Sequence, residues 1–293
     1  MKIVITGGAG FIGHHLARAL TCASHEVALF DNLHRGSYTR THVRATRFVR
    51  GDVRDYHACL RAFEGADAVV HLAAQSNVMG SQGAPDYTVS TNVTGTWNVA
   101  RATTQLGIGH LIFASSREVY GDSPELPVAE TSPFAPKNLY GASKVAGELL
   151  LEQLQKRGSC VSVLRLSNVI GRGDCGRVVP LWLELARRNE PLTIFGGSQV
   201  LDLVSVEVVC AAFIRVLENA DIAGPINIGS GSATTILSLA DHIISLTDSR
   251  SVVNIVPPRG PEVSRFCADV TRMRELLRLA PPADPLACIG ADW

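Results

Sequence analysis

The chain opens on an apolar run, Ile3-Val4-Ile5-Thr6, that leads straight into Gly7-Gly8-Ala9-Gly10-Phe11-Ile12-Gly13. Few arrangements restrict a fold more. A short buried strand must end in a tight turn, and the amphipathic stretch Phe11–Cys22 must start a helix there. Each glycine has its own task in such a junction. Gly7 permits the turn, Gly10 lets backbone approach a pyrophosphate, and Gly13 lets the helix lie close on the strand. The helix N-terminus then offers free N–H groups and the positive end of its dipole.

The same alternation continues. Short apolar runs at Lys2–Thr6, Glu26–Phe30, Arg47–Arg50, Ala68–Leu72 and His110–Ser115 read as buried parallel strands. Longer amphipathic segments such as Thr91–Leu106 lie between most of them. Leu139–Lys156 reads as a further helix and Cys160–Leu166 as a further strand. This predicts an α/β fold, a Rossmann-type doubly wound parallel sheet, over residues 1–170. From 171 to 293 the pattern loosens. Strand-like pieces at Leu192–Phe195 and Pro225–Ile228 flank a helical stretch, Val206–Glu218. That half reads as a smaller α/β substrate-binding region, interleaved with the first.

Charge excludes some classes. The 27 basic and 27 acidic side chains balance, so a general affinity for nucleic acid or an anionic membrane has no support. The apolar runs are too short for a signal peptide or a membrane span, which makes a cytoplasmic location the expectation. The seven cysteines are scattered and odd in number, as suits reduced thiols rather than disulfides or zinc. His14 and His15 lack a matching second cluster, and His71, in an apolar run, reads as a packed or hydrogen-bonded residue. No metal is expected.

Two further features bear on chemistry. Asp31 follows the second strand, where a carboxylate can accept from a ribose diol and repel a 2′-phosphate, favouring NAD over NADP. Turn capping is its other reading, and Arg35 lies close by in sequence. Tyr140-Gly141-Ala142-Ser143-Lys144 opens a helical stretch and puts Lys144 beside the Tyr140 phenol on one face. A free phenol has a pKa of about 10 and is a poor base at neutral pH. A nearby ammonium and an oxidised nicotinamide both favour phenolate, so Tyr140 can take a proton from a sugar hydroxyl. Ser116, at the end of the fifth strand, either donates to the reacting oxygen or caps the strand.

Together these residues resemble the extended short-chain dehydrogenase/reductase family, the NAD-dependent epimerase/dehydratase group, and most of all UDP-sugar 4-epimerases. The matching pieces are Thr6 to Gly13, Asp31-Asn32-Leu33, Gly51-Asp52-Val53, His71 to Gln75, Asn92 to Thr96, Ser115 to Gly121 and Tyr140 to Lys144. The resemblance implies NAD held by Gly7, Gly10, Phe11, Ile12, Gly13, Asp31, Asn32, Asp52, Val53, Leu72, Ala73, Ala74, Gln75, Asn92, Tyr140 and Lys144. It implies a nucleotide sugar, most simply UDP-linked, against Ser116, Arg117, Tyr140, Asn168, Val179, Thr193, Phe195 and Arg259. It also implies a homodimer through the helices 91–106 and 139–156, where Ala100, Ala146 and Leu150 suit close packing. One departure matters: Leu201 stands where many relatives carry a phosphate-binding arginine, so Arg259 with Arg172 or Arg177 must serve instead.

Ser116, Tyr140 and Lys144 suffice for 4-epimerisation, the first expectation. A dehydratase needs a further base, for which Glu118 is the candidate, and a decarboxylase shares the same oxidation step. Arg117 is a poor proton donor because it stays charged. It reads as an outward charge at a strand end, or alternatively as a clamp for a C6 carboxylate. A non-catalytic dinucleotide-binding regulator is the remaining class, and the intact Tyr140/Lys144 pair speaks against it.

Overall fold

The computed structural model describes residues 1–35, 46–220, 222, 224–258, 260–290 and 293. The expected strands form as β1 (Lys2–Thr6), β2 (Glu26–Asp31), β3 (Thr46–Arg50), β4 (Ala68–His71), β5 (His110–Ser116) and β6 (Val161–Leu166). With β11 (Pro225–Ile228) they make a seven-stranded parallel sheet in the order β11-β6-β5-β4-β1-β2-β3. The chain thus supplies the expected doubly wound sheet, and the last strand comes from its second half.

Strand alternation builds two cores. Ile3 and Ile5 of β1 point into one, Val4 into the other. The first face is covered by α1 (Phe11–Cys22), α8 (Val206–Glu218) and α10 (Thr271–Leu277). The second is covered by α2 (Tyr56–Phe63), α5 (Thr96–Gln105) and α6 (Leu139–Gln155). Each aliphatic side chain fully buried this way contributes about 1.5–3 kcal/mol. Near the end of β4 lie two short helices, α3 (Val78–Gly83) and α4 (Pro85–Val89).

One expected helix begins differently. The stretch read as Thr91–Leu106 starts as a π-helical turn, Ser90–Gly95, before α5 takes over. The cause is tertiary: Asn92 turns inward and spends its side-chain amide on the Gln75 backbone, with Nδ2 to the carbonyl at 3.1 Å and Oδ1 taking the N–H at 2.8 Å. π turns of this kind gather at functional sites.

The second half holds a third core, with Trp182, Leu183, Ile194, Leu239 and Ile243 at its centre. It packs α7 (Val178–Arg187) and α9 (Ile236–Leu246) around small sheets. These pair β7 (Asn168–Ile170) with β10 (Leu203–Ser205), β8 (Leu192–Phe195) with β13 (Val253–Val256), and β9 (Val200–Leu201) with β12 (Thr234–Thr235). Asp202, fully buried, locks this region by accepting from the N–H groups of Ser230 (2.7 Å), Gly231 (3.1 Å) and Ala268 (2.9 Å). No helix among the described residues is long and apolar enough to cross a membrane.

The β1–α1 junction bears a direct test. A Cβ on Gly13 would meet the Gly7 carbonyl oxygen at 2.5 Å and Gly8 Cα at 2.7 Å, both rigid backbone. Gly13→Ala is therefore expected to cost about 2 kcal/mol of stability, read as a lower thermal midpoint. A variant as stable as the parent would show that α1 does not rest on the turn.

Candidate active site

The carboxyl ends of β1, β2, β4 and β5 open into a cleft of about 1260 Å³ whose far wall is α7, β7 and β8. It lies where the strand order reverses between β1 and β4, the position at which sheets of this kind take ligands. At its floor Gly7 adopts φ +68° and lies so close to the end of β4 that a Cβ there would meet Ala73 N at 2.7 Å. Gly10 is different. A Cβ on it would meet only the Gly7 carbonyl, at 3.2 Å, because it faces the cleft. The N-terminus of α1 has no side-chain cap and no acidic residue in its first turn. This cradle fits the pyrophosphate of a dinucleotide, with Gly7, Phe11, Ile12, Gly13, Leu72, Ala73 and Ala74 on its walls.

Asp31 fastens the turn to β2. Its Oδ2 accepts from Ala9 N–H at 3.0 Å and its Oδ1 from Leu33 N–H at 2.8 Å. Burial pushes its carboxyl up, against the two backbone donors. Each oxygen keeps a lone pair for a further donor such as a ribose hydroxyl. Asn32 donates to Asp52 (2.9 Å) and to the Tyr87 hydroxyl (3.2 Å). Burial tends to raise the Asp52 carboxyl too, but bonds from Arg54 and Asn32 outweigh it and hold the group at about 2. Asp52 thus stands behind the cleft surface, whereas Val53 lies on it. The Tyr87 ring is sandwiched between the His34 imidazole (4.3 Å) and the Arg54 guanidinium (4.8 Å).

A chain of hydrogen bonds braces the floor. Ala73 N–H donates to Thr6 Oγ1 at 3.2 Å, Thr6 meets His71 Nδ1 at 2.7 Å, and His71 Nε2 meets Thr96 Oγ1 at 3.0 Å. Thr96 donates its only hydroxyl proton to the Asn92 carbonyl at 2.6 Å. It must therefore accept from His71, so Nε2 carries the ring proton and Nδ1 accepts from Thr6. His71 is the hydrogen-bonded residue that its apolar setting suggested. Burial, aided by the Lys144 charge, pulls its pKa down to about 3. Asn92 and Gln75 likewise brace the wall rather than line it, and Asn92 Nδ2 also reaches Ser143 Oγ at 2.9 Å.

The Tyr140/Lys144 pair sits at the start of α6, whose N-cap Asn138 accepts from Gly141 N–H at 2.8 Å. Lys144 Nζ donates to the Ala114 carbonyl at 2.7 Å and lies 4.6 Å from the Phe113 ring centre and 5.8 Å from that of Tyr140. Burial pulls its ammonium down to about 7, with Glu148 opposing. Ser116 ends β5 close to the Tyr140 phenol. Burial pushes that phenol up to about 12, although Ser116 and the charges of Arg177 and Arg117 work the other way. Arg177 and Arg117 thus add positive charge near the phenol, beside the Lys144 that the sequence points to.

Arg117 needs a correction. It is no outward charge: its side chain is 11 % exposed, lines the cleft and pairs with Glu118 Oε1 at 3.0 Å. Glu118 Oε2 accepts from Asn138 Nδ2 at 2.7 Å, so both of its oxygens are engaged. Among the described residues Arg117 Nη1 has no partner.

At the far wall Asn168, Val179, Thr193, Phe195 and Leu201 line the cleft, as the family resemblance implies for the first four. Arg259 lies outside the described residues. Arg177 enters the cleft at the N-cap of α7, where its Nη1 donates to the Val169 carbonyl at 3.2 Å and its Nε faces Asp174 at 3.6 Å. The sequence reading missed Tyr87 and His34 as wall residues. An aromatic pair 53 residues apart leaves no local signal (87 − 34).

Residues 3–229 match the NAD dependent epimerase/dehydratase family. The chain belongs to that family. It is 31% identical over 310 residues to the UDP-glucose 4-epimerase of Lacticaseibacillus casei, covering 98% of this chain and 93% of the relative. Among solved structures it is similar to the UDP-glucose 4-epimerase of Thermotoga maritima with UDP-glucose, at TM-score 0.93 and 31% identity, covering 99% of this chain and 97% of that one. It is similar too to a dTDP-glucose 4,6-dehydratase from Streptomyces venezuelae with NAD bound, at TM-score 0.93 and 27% identity, covering 100% and 96%. The family member described here is an NAD-dependent enzyme of the epimerase or dehydratase type.

His71 gives a pH test. Its native pKa lies below the unfolded value of about 6.5, so between about 6.5 and 3 the unfolded chain binds the extra proton. Its neutral bonding stabilises fully above 6.5, and that contribution is lost as pH falls through this window. Urea midpoints of His71→Gln should fall less steeply with acid than those of the parent, by up to one proton. Equal slopes would contradict a neutral His71.

Proposed function

We propose that the chain inverts C4 of a UDP-hexose through a transient 4-keto sugar and regains NAD unchanged. The observation that carries this reading is the division of labour after β5. Ser116, Tyr140 and Lys144 stand together at the cleft, whereas Glu118 is tethered by Arg117 and Asn138. A dehydratase would need Glu118 to turn from these partners toward the sugar; an epimerase would not.

NAD, when bound, supplies a hydride acceptor and donor and a positively charged ring. The glycine turn, the α1 N-terminus and Asp31 would hold it by pyrophosphate and ribose. Tyr140 takes the proton of the C4 hydroxyl and returns it to the epimer, while Ser116 orients that oxygen. Lys144, Arg117 and Arg177 supply positive charge that lowers the cost of phenolate. Val179, Thr193 and Phe195 hold the nucleotide while the sugar turns between its two faces. With Leu201 uncharged, Arg177 is the described cation best placed for the diphosphate.

A second reading has one observation behind it. The unpartnered Arg117 Nη1 suits a C6 carboxylate, which makes a UDP-hexuronate the alternative substrate. We also propose a homodimer through α5 and α6. Ala100 is no part of it, being fully buried in the chain's own core, but Trp97 and Leu149 are exposed on these helices and Val89 at the end of α4. Trp97→Glu should yield a monomer in sedimentation, and an unchanged mass would remove this surface.

The reaction itself is tested by incubating the protein with UDP-glucose, UDP-N-acetylglucosamine and UDP-glucuronate and following the sugar protons by NMR. The expected products are C4 epimers. Tyr140→Phe should lower kcat by about 10³-fold, whereas Glu118→Gln should stay within about tenfold. A new methyl signal at C6 would mean elimination and overturn the reading.

A further inference from the structure

A buried ion pair lies beneath the reacting residues and takes no direct part in the proposed reaction. Glu148 stands one helical turn after Lys144 on α6, so the two share a face. Glu148 is 7 % exposed and Arg165, on β6, 5 %. Arg165 Nη2 donates to Glu148 Oε2 at 2.7 Å, and its Nε reaches both oxygens at 3.0 and 3.2 Å. Ser115, the neighbour of Ser116, donates its hydroxyl to the same carboxylate. Arg165 Nη1 is held in turn by the Tyr120 hydroxyl (2.8 Å) and the Glu130 carbonyl (2.9 Å), and Tyr120 donates to Asn227 at 2.7 Å. Desolvation offsets most of the attraction in such a pair, so stability alone is a poor account of it.

We propose that Glu148, fixed by Arg165 and Ser115, is a positioning residue for Lys144, which stands one helical turn away on the same buried face and enters the cleft. This rests on the Tyr140/Lys144 reading above. The groups that face Lys144 support it. From α6 come the Tyr140 ring and Glu148, and from β5 the Ala114 carbonyl and the Phe113 ring. From β4 comes His71, neutral at working pH, and from β6 Arg165, whose charge Glu148 balances. Burial works against the ammonium, and Glu148 is the anion that works for it. Without Glu148 the lysine loses its counter-charge and Arg165 becomes an unbalanced cation behind it.

The chain has four lysines, Lys2, Lys137, Lys144 and Lys156, so Lys144 can be followed by NMR of protein labelled with carbon-13 at lysine Cε. The titration needs no substrate and is run on the full chain with and without NAD. In Glu148→Gln the Lys144 midpoint should fall by about one pH unit or more. The double variant Glu148→Leu with Arg165→Met replaces the pair by apolar volume, a change expected to preserve the fold, and should show a smaller drop in the same direction, since the opposing Arg165 charge goes too. Glu148→Asp, which keeps the charge, should stay within about half a unit of the parent. The alkaline limb of kcat should move with the midpoint while KM changes little. A folded double variant with the parental Lys144 midpoint would make the pair merely structural and overturn the proposal. If none of the UDP-sugars turns over, the reaction reading fails, yet the titration still decides the role of Glu148.

Discussion

Everything in the site is referenced to one close approach, that of the Gly7 backbone to Ala73 at the end of β4. No side chain fits between them, since a Cβ at Gly7 would lie 2.7 Å from Ala73 N. That contact brings the first turn and the β4 loop to a common edge. The Thr6–His71–Thr96 chain then carries the register to Asn92, and Asn92 carries it to Ser143 in α6. The cofactor cradle and the Tyr140/Lys144 helix are therefore tied through a single run of buried, satisfied polar groups. A core of this type gains uniqueness because each partly satisfied alternative would strand a buried donor or acceptor.

The electrostatics of the site divide into two tiers. Tyr140 and Lys144 are both pushed by burial toward their neutral forms, to about 12 and about 7. Arg117 and Arg177 oppose this at the phenol and Glu148 opposes it at the amine. Glu118, a carboxylate at the end of β5 beside Ser116, is drawn toward Arg117 and Asn138. This arrangement favours a proton moving out and back at one hydroxyl over abstraction of a second proton from the sugar ring. The dehydratase relatives show that the same scaffold hosts other outcomes, so the fold alone does not fix the outcome.

Much of the frame was legible in the sequence. The strands of the large sheet show as apolar runs because both faces are buried, and the glycine turn announces its own geometry. Of the small sheets of the second half only the strand Leu192–Phe195 was legible, because pieces of two to four residues carry little periodicity. The π turn at Ser90–Gly95 was hidden for another reason: its cause, the Asn92 bond to Gln75, is a contact 17 residues away (92 − 75). Arg117 was misread because a lone arginine at a strand end is usually solvated; a pair with its neighbour Glu118 was legible, but only the fold shows Phe266 beside it. The Arg165–Glu148 pair was unread for the same reason, since α6 and β6 meet only in three dimensions.

The central claim is that a hydrogen leaves C4 of the sugar and returns to the same carbon on the opposite face. Turnover of UDP-glucose carrying deuterium at C4, in ordinary water, tests it most directly. The account predicts an epimer that keeps the deuterium at C4. Loss of the label to solvent, or its appearance on C6, would contradict it.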